Sequence, residues 1–266
     1  MIRIGTVRDL WRYPVKSMAG TPTQSAQLGW HGFAGDRRFA FRRVGDCSGF
    51  PWLNASRLPD LLLYRPFGQD ESTVEPLPTH VRTPTGQELE LRSEALRRDV
   101  AARFGSDVEL MSLKNGIFDD AFVSVISLVT VAAVGREAGV GLDVRRFRPN
   151  VVLDTDDAEP FREVGWVGGR LVFGGAEPRV MVNITADDVR CMMINLDPDS
   201  ARQDARVMRA VVRRHGNVAG VYGAAGRTGT VHVGQEVWLE PDDVLAGREL
   251  RSSEPKRASS GGGPAA

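Results

Sequence analysis

The amino-acid sequence predicts an α+β protein: strand-rich, with a β-barrel, an N-terminal β-barrel-like domain and a few helices. Three observations predict it. Up to about residue 70, short apolar runs are broken by Gly, Pro and Asn, as in a barrel or sandwich. Three segments, at 93–105, 126–139 and 201–215, carry helical character. The sequence changes character after Asp119-Asp120, which places a division near residue 115. The expected units are therefore 1–115, 116–243 and a tail at 244–266.

In chain order, strands are expected at 3–13, 25–28, 38–43 and 61–66. A hairpin is expected over 80–91, where Thr83-Pro84-Thr85-Gly86 supplies the turn chemistry. In the next segment Leu96, Val100 and Phe104 fall at helical spacing, Ser93 can cap and Gly105 can close. Residues 126–138 are apolar and fit a buried helix ending at Gly139. Strands follow at 151–153, 170–173, 179–184, 192–196 and 231–239. A helix over 201–215 places Val207, Ala210, Val211 and Arg214 on one face. The Ser/Gly/Pro-rich tail cannot form a core and is expected to be disordered.

Composition narrows the function. The chain has 34 basic and 34 acidic side chains, so no global field steers it toward nucleic acid or an anionic membrane. No apolar run resembles a signal segment or approaches the ~20 residues of a spanning helix, so a cytoplasmic location is expected. Two cysteines, Cys47 and Cys191, cannot by themselves form a four-cysteine zinc site or an iron–sulfur cluster. The four histidines are scattered without metal-ligand spacing.

Four clusters could carry chemistry. Cys191 follows Arg190 directly, and a guanidinium beside a thiol favours the thiolate, a soft ligand suited to polarizable metals; a lone cysteine is also commonly a buried structural residue. In Tyr13-Pro14-Val15-Lys16-Ser17 a cation and a hydroxyl sit on a turn where an anion can dock, or form an ordinary exposed turn. The runs 35–39 and 145–150 place arginines, among them Arg37 and Arg148, at the mouths of expected strands. There they can grip phosphate oxygens, and Asn150 adds an amide that donates and accepts. Taken singly, each is also consistent with a solvated face. Asp119-Asp120 and Asp187-Asp188 read as solvated turns rather than acid/base pairs, and Cys47 carries no assigned role.

The segments YPVKSMAG (13–20), GDRRFAF (35–41), VSVISLVTVAAV (123–134), RFRPNVVLD (146–154), RCMMINLDPDS (190–200) and VGQEVWL (233–239), in this order, resemble the MOSC family. Specifically, they resemble members that join an N-terminal MOSC β-barrel domain to the MOSC domain proper, such as the mitochondrial amidoxime-reducing component and its bacterial relatives. The resemblance spans residues 2–241 and implies a MOSC-type barrel holding a molybdenum cofactor (Mo-molybdopterin). By resemblance, Cys191 is the metal ligand, and Lys16, Ser17, Arg37, Ser127, Arg148, Asn150 and Arg190 are cofactor-binding residues. It further implies reduction of a small N-hydroxylated substrate with electrons from a separate reductase. The alternative is a sulfur or cofactor carrier acting through a Cys191 persulfide or thiolate, and a third reading is a simple binder of phosphorylated ligands. Phe39 stands where relatives often carry Trp, and Ile194-Asn195-Leu196 stands where paired threonines are frequent, which bears on substrate range.

Overall fold

A computed structural model of the 266-residue chain describes residues 1–175 and 179–242. The expected tail at 244–266 lies outside the described residues. The first part holds β1 (Ile2–Arg12), β2 (Thr21–Thr23), β3 (Ser25–Gly29), β4 (Gly32–Phe33), β5 (Phe39–Arg43), β6 (Arg65–Phe67), β7 (His80–Arg82), β8 (Glu88–Glu90), α1 (Glu94–Phe104) and β9 (Val108–Ser112). The second holds β10 (Val123–Ser127), α2 (Leu128–Ala138), β11 (Val151–Thr155), β12 (Arg170–Phe173), β13 (Val180–Val189), α3 (Ala205–His215), β14 (Val218–Arg227), β15 (Gly229–His232) and β16 (Glu236–Glu240).

Seven strands close into a barrel in the order β11-β10-β14-β13-β12-β16-β1, with β1 pairing back onto β11. Closure leaves these strands no free edge along the ring. All the ring pairings are antiparallel except β10–β11, which is parallel and therefore needs a crossover; α2 and the Val144–Phe147 turn of 3-10 helix supply it. Because β1 comes from the first part, the sheet crosses residue 115, and the N-terminal strand is structurally part of the C-terminal barrel.

The barrel core is filled by alternating inward residues, including Val7, Leu10, Val125, Leu153, Leu171 and Val221, all buried. A second core joins β5–β9, the β6-β7-β8 sheet and α1 through Phe41, Leu53, Tyr64, Val81, Leu96 and Val100. A third packs α2 and α3 on each other through Val134, Phe147, Val207 and Val211. The caps of α1 are those read from the sequence: Ser93 Oγ accepts from the Leu96 N–H at 3.2 Å, and Gly105 closes in the left-handed conformation.

Several expected boundaries need correction. Residues 61–66 are not one strand, because Pro59 opens a 3-10 turn (Pro59–Leu63) before β6. The helix expected from residue 126 begins at Leu128; Ile126 ends a buried strand and Ser127 caps the helix. The expected strand at 192–196 is a 3-10 turn, Met192–Asn195, closed by Leu196 N–H donating to Met193 at 3.0 Å. The span 231–239 divides into β15 and β16 around Gly234, and the two pair with different strands. Helix α3 begins only at Ala205, where Asp204 accepts from Arg206 N–H.

The ten-residue β14, VAGVYGAAGR, has no strand signature in the sequence. Its glycines mark close approach to β13. A Cβ on Gly223 would lie 2.5 Å from Val182 Cγ1 and 2.8 Å from the Asn183 carbonyl, so only glycine fits. The barrel core predicts a definite cost: Leu153→Ala is expected to lower stability by about 2–5 kcal/mol, measured by urea unfolding.

Candidate functional site

Three turns converge at one end of the barrel, and each carries a non-glycine residue in the left-handed region: Ser17 (φ 66°), Arg37 (φ 51°) and Arg148 (φ 52°). Such residues cost on the order of 1–3 kcal/mol each and persist where their surroundings over-determine them. For Arg37, and through it Arg148, the restraint is the carboxylate of Asp36, fully buried. It accepts from Tyr13 N–H at 2.6 Å and from Asn150 Nδ2 at 3.0 Å, and it pairs with the Arg37 guanidinium. Asn150 Oδ1 in turn accepts from Ser124 N–H at 3.1 Å and Arg37 Nη1 at 3.3 Å, while its Nδ2 also reaches the Trp11 carbonyl at 3.3 Å. Arg37 Nη2 donates to the Arg148 carbonyl at 3.1 Å, and Arg148 Nη1 donates to the Met18 carbonyl at 2.7 Å.

The result is a cradle of cations. Arg148 and Arg37 both lie against the Tyr13 ring, 4.3 and 5.0 Å from its centroid. The Tyr13 hydroxyl is buried without a hydrogen-bond partner among the described residues, and burial raises its pKa. Lys16 is 5% exposed and its Nζ donates to Asp119 Oδ1 at 2.6 Å. Burial lowers the Lys16 ammonium below the ordinary lysine range, and it lowers Arg148 to about 10. Among the described residues Arg148 makes no ion pair, although the charges of Asp36 and Asp119 favour its cation.

The thiol lines the same cavity. Cys191 is free and exposed, directly after β13. Its neighbour Arg190 turns inward, donating to the Ala219 carbonyl at 2.6 Å and the Phe147 carbonyl at 2.8 Å, and pairing with Asp188 at 2.8 Å. Arg190 thereby ties the Cys191 turn to the turn bearing Arg148. Asp188 is buried and accepts from Ser124 Oγ at 2.8 Å and from the Tyr222 hydroxyl. Burial pushes its carboxyl above the usual range, with Arg190 opposing.

This cavity, of about 290 Å3, is lined by Lys16, Ser17, Arg37 and Arg148 together with Arg190 and Cys191. Two expected contacts are corrected. Ser127 lies elsewhere: it caps α2, is bonded to the buried Glu163, and lines a different cavity beside Trp166. The hydroxyl that this segment brings to the cavity is Ser124, three residues earlier in β10. Asn150 is buried beneath the pocket, and its amide serves Asp36, Arg37 and Ser124. Arg190 reaches the wall, but its donors face protein. The sequence reading missed Asp188 and Tyr222. The extension of β13 past Ile184 is the signal for Asp188, and the glycine-rich strand hides Tyr222. Asp119, read as a solvated turn, sits at the pocket mouth paired with Lys16.

The site can take an anion at its cationic end and a soft metal at its thiol. No group of three or more His, Cys, Asp or Glu side chains able to hold a metal exists among the described residues, so a metal at Cys191 would bring its remaining ligands with it.

Fold and pocket together define a barrel protein with one cavity that combines buried cations and a thiol. The chain belongs to the MOSC family: the model of the MOSC N-terminal beta barrel domain matches residues 4–116 and that of the MOSC domain matches 112–238. MOSC domains are associated with molybdenum-cofactor sulfurase-like and oxidoreductase proteins. Among solved structures, the YUAD protein from Bacillus subtilis is similar, at 14% identity over 89% of this chain and 95% of that one, with a TM-score of 0.47. A comparison with curated proteins gives no match. No helix of the described residues is long and apolar enough to cross a membrane.

Two outcomes follow from this geometry. Asp36→Ala removes the carboxylate that Arg37, Asn150 and Tyr13 N–H share, and it should destabilise by about 3–5 kcal/mol in chemical denaturation. Charging Lys16 and Arg148 in their buried places costs the fold at neutral pH; that cost fades as pH rises through their lowered pKa values, and a bound anion offsets it. The rise in melting temperature given by inorganic phosphate should accordingly be largest near neutral pH and shrink as pH approaches about 10.

Proposed function

We propose that this protein is a molybdenum-cofactor-binding oxidoreductase that reduces small N-hydroxylated compounds with electrons from a separate reductase, in the cytoplasm. The observation that carries the reading is the one cavity whose lining includes both a free thiol and the buried cations. That donor set matches a soft metal joined to an anionic phosphate. Cys191 would ligate the metal, and Lys16, Ser17, Arg37 and Arg148 would hold the phosphate and pterin. When bound, the cofactor supplies two-electron chemistry through the oxidation states of its metal.

The chain's own residues do the rest. The cradle binds and orients. Arg190, anchored on two carbonyls and Asp188, fixes where the thiol stands relative to Arg148. On the pocket wall the Ser124 and Tyr222 hydroxyls, both donating to the buried Asp188 carboxylate, offer exchangeable protons. Exposed Val189 and half-buried Met193 give the thiol end an apolar rim. The exposure of Cys191 also supports a second reading, a sulfur carrier passing a persulfide from that thiol.

Elemental analysis and pterin release on protein from a cofactor-competent host test the first reading. Near-stoichiometric molybdenum in the wild type, lost in Cys191→Ala, together with turnover of a hydroxylamine or amidoxime using an artificial donor, is the expected result. Wild type without metal or pterin, but carrying a Cys191 persulfide by mass spectrometry, would replace it with the carrier reading.

A further inference from the structure

Two lining residues of the cavity, Asn54 and Ser56, come from the first part of the chain and take no part in the cation cradle. Their segment is fixed on both sides of Asn54. Leu53 N–H donates to the Phe41 carbonyl at 2.7 Å, and the Asn54 carbonyl accepts from the Arg57 and Leu58 N–H groups, each at 3.0 Å. Leu53 and Ala55 are fully buried in the second core, so alternation along the chain turns the Asn54 side chain the other way, onto the cavity. The same core takes in Met193 and Leu196, from the turn that follows Cys191. One packed cluster therefore sets Asn54 relative to the thiol.

Asn54 Oδ1 is buried and has no hydrogen-bond partner among the described residues. The cations of the lining are engaged elsewhere: Lys16 with Asp119, Arg37 with Asp36, Arg148 with the Met18 carbonyl, and Arg146 with the Asn195 carbonyl and Asp197. A buried acceptor without a donor is costly, and such groups are normally satisfied. This one lines a cavity, where a ligand can supply the missing donor.

We infer that Asn54 is a specificity-determining residue for the substrate: its amide oxygen accepts a hydrogen bond from the N–H or O–H of an N-hydroxylated compound. It thereby selects amidoximes and hydroxylamines, which carry such a donor, over tertiary and aromatic N-oxides, which carry an N–O bond and no donor. The inference rests on the proposed reduction of N-hydroxylated compounds. An N-oxide filling the cavity shuts Oδ1 off from water and gives it nothing in return, which is how a polar site rejects an analogue lacking the donor.

The test compares benzamidoxime with pyridine N-oxide, both uncharged at neutral pH, on wild type and Asn54→Leu made in a cofactor-competent host. Leucine is close to asparagine in volume and removes both polar atoms. Molybdenum content should be equal in the two proteins. The ratio of kcat/KM for benzamidoxime to that for pyridine N-oxide should fall by about tenfold in the variant, the scale of one buried acceptor losing its donor. Calorimetric Kd values for the two compounds on the oxidised, non-turning-over proteins should shift in the same sense. An unchanged ratio in both measurements would overturn the role of Asn54. Lower molybdenum content in the variant would overturn it too, assigning the amide to the cofactor instead. A wild type that holds no molybdenum would remove the oxidoreductase reading itself, and this inference with it.

Discussion

The buried contact between Asp36 and its three partners is the constraint from which the site is built. A carboxylate withdrawn from water is costly unless charge and hydrogen bonds surround it, and here Arg37, the Asn150 amide and the Tyr13 N–H do so. These partners come from the end of β1, from the turn before β5 and from the turn before β11. Satisfying one carboxylate therefore fixes three loops relative to each other. It also holds Arg37 in the left-handed region, and through the Arg148 carbonyl it braces the second left-handed arginine. The strain of the turns and the position of the cations have the same cause.

The barrel explains why those loops can meet. β1 hydrogen-bonds to β11 on one side and to β16 on the other, so the first strand closes a ring otherwise made of later strands. Its end at Arg12 delivers Tyr13 to Lys16 onto the rim where Arg190 and Cys191 follow β13. Without that closure the cation cradle and the thiol would belong to separate bodies. Arg190 then spans the remaining distance inside the protein, bonding to the carbonyl that precedes Arg148. Its guanidinium serves the architecture of the pocket more directly than the thiol beside it.

Much of this was legible in the residues. Caps at Ser93 and Gly105, the strands near 3–13 and 170–173, and the helix ending at Gly139 follow from local chemistry that tertiary contacts did not override. The clusters around Lys16, Arg37, Arg148 and Cys191 were visible as residue types, and by resemblance as one site, but only the fold shows them in one cavity. What stayed hidden has physical reasons. β14 is a strand because β13 presses against it, and the glycines that permit the approach erase the β-propensity signal. Asp188 looks like a surface acid until β13 is seen to continue past Ile184 and carry it inward. Ser127 and Ser124 lie three apart in one apolar segment, and which of them faces the pocket depends on where the strand yields to α2.

The state of the cradle before any ligand arrives is the last physical point. Arg37 is balanced by Asp36, Lys16 is held by a carboxylate from an exposed loop, and among the described residues Arg148 bonds only to a carbonyl and lies against a ring. Burial lowers the last two, which means the fold holds these charges against a desolvation cost. A protein optimised for stability alone would place apolar or neutral groups there, as replacing buried charge is often neutral or stabilising. The same arrangement that is unfavourable when empty becomes complementary when a multiply charged anion enters, since attraction at short range and low dielectric is strongest where water has already been removed. Under the proposed function, desolvation borne in advance by the folded chain is the source of the pocket's affinity, and the thiol is placed by the same scaffold that bears it.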